Sequence, residues 1–392
     1  MYMLCNCKLI PALTEGTALT MADLVVDGEV IREILPCGAR DGAGMQTFDL
    51  GGKTVMPGLI DAHIHLRSVH PLGSPRYADP NRPCAVVLDE LLFAQFFLDN
   101  GYTTVRVPGD LVTYPLMDLR SHIEAGKFQG PRILTSGPIL SPTQVGNDGF
   151  WAPMVLEVDG TQQMRATVRK LFQKGVDFIK LYGTGSLAVA GAQPNSIMMN
   201  PDEIREAVMI ADQQQSYCAI HCHGAYACDV SAKLGVRTIE HASFIQEDTI
   251  KYLEDHKEEG QGVVLTTSIF VDEPLGLVHR TDAKERCFDC LRKFTDHDAL
   301  VGWGTDTDLE FYQQDPYAEF RVRKEELGFS NEEILQQATI NTAKLIMQDD
   351  RIGSVKAGKL ADLIVIDGDP AADLSAMYQR PVHVIKGGRF IR

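Results

Sequence analysis

The chain has 392 residues, 44% apolar and 23% charged, with a formal net charge of −16. A surface that acidic repels phosphate, which argues against nucleic acid or an anionic membrane as partner and leaves small molecules. No charged and apolar leader opens the chain and no run of about 18 apolar residues occurs, so a cytoplasmic protein that does not span a membrane is expected.

Residues 1–57 alternate short β-like runs with turns, among them DLVVDGEVIREIL, where Asp27-Gly28 signals a hairpin. Cys5 and Cys7 alternate there as packing residues would. This is too little chain to bury a core alone. The far end, GSVKAGKLADLIVIDGDP and VHVIKGGRFI, supplies similar strands, so residues 1–57 and 351–392 are expected to fold together as one small β-sandwich.

From residue 58 to 350 short apolar strands alternate with longer helical patterns, the signature of βαβ units around a parallel sheet. Eight strand candidates stand out: Val55 to Asp61, Thr103 to Val107, Arg132 to Ser136, Phe178 to Tyr182, Tyr217 to His221, Thr238 to His241, Gly262 to Thr266 and Leu300 to Gly304. Eight is the count of a (β/α)8 TIM-type barrel. Helix starts fall in the gaps: Asn200-Pro201 with Glu203, and Ser330 with Glu333 as a capping box. The stretches from His70 to Pro83 and from Pro138 to Pro153 read as long loops after strands one and three, where a barrel builds its active-site walls. Nine scattered cysteines fit reduced thiols; Cys287 and Cys290 form one CxxC with no second pair and read as thiols on a helix.

The polar residues closing these strands carry the chemistry. His63 and His65, two apart, present two imidazoles to one side of a strand end. Strand four contains Lys180, strand five ends in His221 and His223, strand six in His241 and strand eight in Asp306. Barrel active sites lie at the carboxyl ends of the strands, so these side chains are expected to converge. Imidazoles and a carboxylate are the ligand set of zinc and similar divalent ions. Lys180 stands apart: an ammonium inside an apolar strand end is costly, and it cannot ligate a metal while protonated.

The segments DAHIHL, IKLYGTG, IHCHG, IEH and GTD, with VMPG before and IGSVKAGKLADLIVID after, resemble the amidohydrolase superfamily, in the group of imidazolonepropionase-like proteins, Xaa-Pro and Xaa-Arg dipeptidases and ochratoxin-type amidases. The resemblance covers essentially the whole chain. It implies a barrel beside a β-sandwich, two divalent ions, zinc first among candidates, and an N6-carboxylated Lys180 bridging them. It further implies that His63, His65 and Asp306 hold one ion and His221 and His241 the other, with hydroxide between the metals attacking a carbonyl. Asp306 then shuttles the proton to the leaving amine, while Asp308 is a loop acid or a substrate contact. The implied reaction is hydrolysis of a small amide, such as an N-acyl amino acid or a dipeptide, by a homo-oligomer. His223 either hydrogen-bonds the substrate or orients His221. Arg106 pairs with a substrate carboxylate or makes an ordinary salt bridge, and Tyr226 lines the pocket or packs.

The pattern departs from the dipeptidase-like relatives in two places. Their loop after strand three carries a TGGHGD-like histidine motif where this chain reads TQVGNDGFWAP, and Val107 stands where many have an acid. Both changes touch the substrate pocket and leave the metal site intact. A mononuclear hydrolase of a cyclic amide or imine is the alternative, which Lys180 disfavours, and a dead scaffold would have lost ligands first.

Overall fold

A computed structural model describes residues 1–40, 44–66, 83–111, 114–144, 147, 152–187, 192–270, 281–307 and 309–392. Strands Tyr2–Leu9, Met21–Asp27, Val30–Pro36, Gln46–Asp49 and Thr54–Pro57 join Leu363–Ile366, His383–Lys386 and Arg389–Phe390 in one eight-stranded mixed sheet. Both chain ends therefore share a core, in which Leu4, Leu24, Val26 and Val55 pack against Leu363, Val365 and Ile385. The Asp27-Gly28 turn joins an antiparallel pair, with Gly28 at φ 59°. Glu15 links the ends again, accepting hydrogen bonds from Lys356 and Lys359 at 2.8 and 3.0 Å.

The middle of the chain forms a (β/α)8 barrel. Its parallel strands are Leu59–Asp61, Tyr102–Val107, Arg132–Thr135, Ile179–Tyr182, Cys218–Cys222, Thr238–His241, Gly262–Leu265 and Val301–Trp303. Strand eight closes on strand one through the Ala62 N–H donating to the Trp303 carbonyl at 2.8 Å. Between strands three and four, a short strand Ile139–Ser141 pairs with strand four.

One expected strand is two. The run from Val55 to Ile60 has no charged residue, yet Thr54–Pro57 belongs to the terminal sheet and Leu59–Asp61 to the barrel. Gly58 is the joint, and its bare Cα lets the chain pass close to strand two: a Cβ there would sit 2.2 Å from Thr103 Oγ1.

Helices cover the outside. Helix Pro201–Gln213 starts as its sequence predicts, with the Glu203 carboxylate accepting the Asn200 N–H at 2.8 Å. Ser330 and Glu333 cap each other reciprocally before helix Asn331–Gln336. The chain then runs through a π turn, Gln337–Asn341, into Thr342–Leu345. Cys287 and Cys290 lie on helix Thr281–Leu291, and all nine cysteines are free. No helix among the described residues is long and apolar enough to cross a membrane. The loop expected at residues 70–82, and most of residues 145–151, lie outside the described residues.

Candidate metal centre

His63 and His65 follow the end of barrel strand one at Asp61, their ring centroids 5.6 Å apart. Asp306 comes to them from the far end of the chain: its Oδ1 lies 3.5 Å from His65 Nε2 and 3.7 Å from His63 Nε2. His241 ends strand six at φ 70°, a left-handed conformation uncommon for a non-glycine residue. That turn brings its ring to 4.6 Å from His63 and 4.7 Å from His221. Ligand atoms of His63, His241 and Asp306 all lie within 4.8 Å of one another. His221 stacks on Tyr182 at 4.4 Å beside them.

Two buried atoms here have no hydrogen-bond partner: Lys180 Nζ and His221 Nε2. An unsatisfied buried polar atom costs about 1–3 kcal/mol, so both fit a site built for something that engages them. Burial brings Lys180 down to about 8, within reach of the neutral amine. Burial likewise pushes His63 below its ordinary value, and His221 and His241 well below theirs. All three imidazoles are therefore neutral at pH 7, the form that offers a lone pair to a metal. The residues fit a divalent ion.

Four expected residues remain. His223 is buried, stacks 5.1 Å from His241 and bonds Ser243 Oγ through Nδ1 at 2.8 Å; burial takes it down to about 3. Tyr226 is 63% exposed on helix Ala225–Lys233. Asp308 lies outside the described residues. Of the two readings open for Arg106, the structure gives the salt bridge. Its fully buried guanidinium donates to both oxygens of Glu240 at 2.7 and 2.8 Å, to the Ala62 carbonyl and to Thr238 Oγ1. It packs beside Phe178 and Tyr217.

Glu240 itself is the residue that motif reading passed over. It accepts from His63 Nδ1 at 2.6 Å. Burial raises its pKa, but Arg106, Lys180 and the His63 hydrogen bond outweigh burial and bring it to about 2. The available signal was the TIEH alternation, which points Thr238 and Glu240 to one side.

Comparison with known proteins agrees with this geometry. The description of the Amidohydrolase family matches residues 54–391. Ochratoxinase from Aspergillus niger is 26% identical over 386 residues, covering 86% of this chain and 75% of that protein. A prolidase solved with N-methylphosphonate-L-proline superposes with TM-score 0.85 at 28% identity, covering 100% of this chain and 99% of that one. A Xaa-Pro dipeptidase solved with methionine in its active site gives TM-score 0.85 at 26% identity, with 100% and 99% covered. The chain belongs to the amidohydrolase family, and it carries a His/His/Asp metal-binding group.

Proposed function

We propose that this amidohydrolase is a binuclear hydrolase of small acyclic amides, with N-acyl amino acids and dipeptide-like compounds as its substrate class. The observation that carries the reading is the pair of orphaned atoms, Lys180 Nζ and His221 Nε2, buried beside the His63, His241 and Asp306 cluster. A single ion on His63, His65 and Asp306 would leave a buried amine with nothing to do. Carboxylated by CO2, Lys180 would offer an anionic oxygen ligand, and His221 and His241 would help hold a second ion.

Two divalent ions, zinc first among candidates, would supply an activated water and polarise the scissile carbonyl. The chain's own groups do the rest. Asp306 accepts the proton of the attacking water at a carboxylate oxygen and delivers it to the departing amine nitrogen. His223 has its Nδ1 occupied by Ser243, which leaves Nε2 to hydrogen-bond the substrate. With Arg106 paired to Glu240, we assign recognition of a substrate carboxylate to other groups around the barrel mouth. A neighbour described as a prolidase and another as a Xaa-Pro dipeptidase support a dipeptide-like substrate, and nine free thiols suit a reducing cytoplasm. We read the working form as a homo-oligomer.

The test is a hydrolysis screen over N-acyl amino acids, dipeptides and cyclic amides with enzyme loaded with zinc and bicarbonate, alongside metal analysis. The expected result is turnover of acyclic amides with two ions per chain. Turnover confined to cyclic amides, or one ion per chain at saturation, overturns the reading.

A further inference from the structure

We propose that Glu240 and Arg106 are a positioning pair for the metal centre: Glu240 holds the His63 ring in one tautomer and orientation, and Arg106 holds Glu240. The inference rests on the reading of His63 as a ligand. It adds two residues, on strands six and two, that touch neither metal nor substrate.

The contacts of Glu240 account for its whole acceptor capacity. One oxygen accepts from Arg106 at 2.7 Å and Thr238 Oγ1 at 2.6 Å; the other accepts from Arg106 at 2.8 Å and His63 Nδ1 at 2.6 Å. Three donor groups, Arg106 Nη2, the Thr238 hydroxyl and His63 Nδ1, thus make four contacts, two on each carboxylate oxygen. Glu240 therefore has nothing left for an ion and is not a ligand, although it adjoins His241. What it does instead is fix the hydrogen of His63 on Nδ1, so that Nε2, the atom 3.7 Å from Asp306, is the one with a free lone pair.

Arg106 makes that orientation rigid. Its Nε donates to the Ala62 carbonyl at 2.6 Å and its Nη1 to Thr238 Oγ1 at 2.9 Å, which leaves Nη2 for the carboxylate. Ala62 immediately precedes His63. One guanidinium thus ties together the backbone before the ligand, the carboxylate behind the ligand, and strand six. It lies 5.1 Å from the Phe178 ring and 5.9 Å from the Tyr217 ring, packed on both. Barrel interiors are ordinarily filled with apolar side chains, and an apolar replacement of a buried ion pair is often neutral or stabilising. A fully buried ion pair under the metal site is thus poorly explained by stability and well explained by the ring it holds.

The experiment measures Zn2+ affinity by competition with a chromophoric chelator, and the His63 tautomer by 15N NMR of histidine-labelled metal-free protein. Glu240→Gln is expected to weaken Zn2+ binding by 10–100-fold, roughly the effect of losing such an outer carboxylate. It is also expected to convert the His63 signal from Nδ1–H alone to a mixture. His63→Ala separates the two layers of argument: unchanged Zn2+ affinity there overturns the ligand assignment itself. A large loss in His63→Ala with wild-type affinity and tautomer in Glu240→Gln overturns the positioning role alone. Should Glu240→Gln fold poorly because Arg106 is left unpaired, the Arg106→Met/Glu240→Gln double variant removes both charges. It is expected to regain thermal stability while keeping the weakened Zn2+ binding, and wild-type affinity in it overturns the proposal.

Discussion

Asp306 is tied to His63 twice. Its N–H donates to the His63 carbonyl at 2.7 Å, and its Oδ1 lies 3.7 Å from the His63 Nε2. The hydrogen bond adds to the closure of the barrel between its last and first strands; the second approach brings the Asp306 carboxylate onto the histidines. Residue 306 meets both demands at φ 50°, a strained position that its loop must hold.

Because the backbone contact does not depend on the carboxylate, Asp306→Asn is expected to fold and to lose turnover. A proton carrier of this kind contributes roughly 10²–10⁴-fold, and the loss should fall on kcat. Circular dichroism and steady-state kinetics on the best substrate of the screen check it; near-normal kcat with intact folding would show that another group carries the proton.

Lys180 should reveal the conflict between function and stability. In metal-free protein Lys180→Met replaces an unpartnered buried amine by an apolar side chain of similar length, and is expected to raise stability by about 1–3 kcal/mol. Lys180→Ala should abolish activity, and short carboxylic acids in the assay should restore part of it if they stand in for the proposed carbamate. Urea denaturation and rescue kinetics measure the two effects. Full activity in Lys180→Ala would remove the carbamate from the mechanism.

The sequence made the strand ends legible because a period of two and the carboxyl-end rule are local. His63 and His65 on one side, Lys180 in strand four and Asp306 after strand eight needed nothing more. Contacts across the barrel are another matter. Arg106 and Glu240 are 134 residues apart, and neither type announces an inward-facing ion pair. The left-handed turn at His241 was equally hidden: alternation alone would set it opposite Glu240, yet both reach the centre. The break at Gly58 was invisible for a different reason, since apolar residues on either side are buried by two different sheets.

Glu15, which ties the two ends of the chain together, offers a pH test. Burial raises its pKa, but hydrogen bonds from Lys356, Ser354 and Lys359 outweigh that and bring it to about 2. A carboxylate depressed in the folded chain adds stability that is complete above its unfolded value of about 4.3 and is lost as pH falls through about 2. Its side chain is 38% exposed, so after allowing for solvent screening the contribution is roughly 1 kcal/mol. Thermal melts of Glu15→Gln should fall below the wild type at pH 7, and the gap should narrow steadily below pH 4. A gap that is constant with pH would mean that the Lys356 and Lys359 contacts contribute no charge-dependent stability.

The joint between the two sheets is the last test, because it depends on an absent side chain. A Cβ on Gly58 would lie 2.2 and 2.4 Å from Thr103 Oγ1 and Cγ2 and 2.8 Å from its Cβ. Thr103 belongs to barrel strand two and is buried, so neither strand can yield without moving a sheet. Overpacking of this kind costs about 1–3 kcal/mol, and Gly58→Ala is expected at the upper end. Removing the obstacle should reverse the cost: Gly58→Ala/Thr103→Gly should recover more stability than the two single losses added together predict. Chemical denaturation of the four proteins forms a double-mutant cycle, and simple additivity would show that Gly58 is not held by contact with strand two.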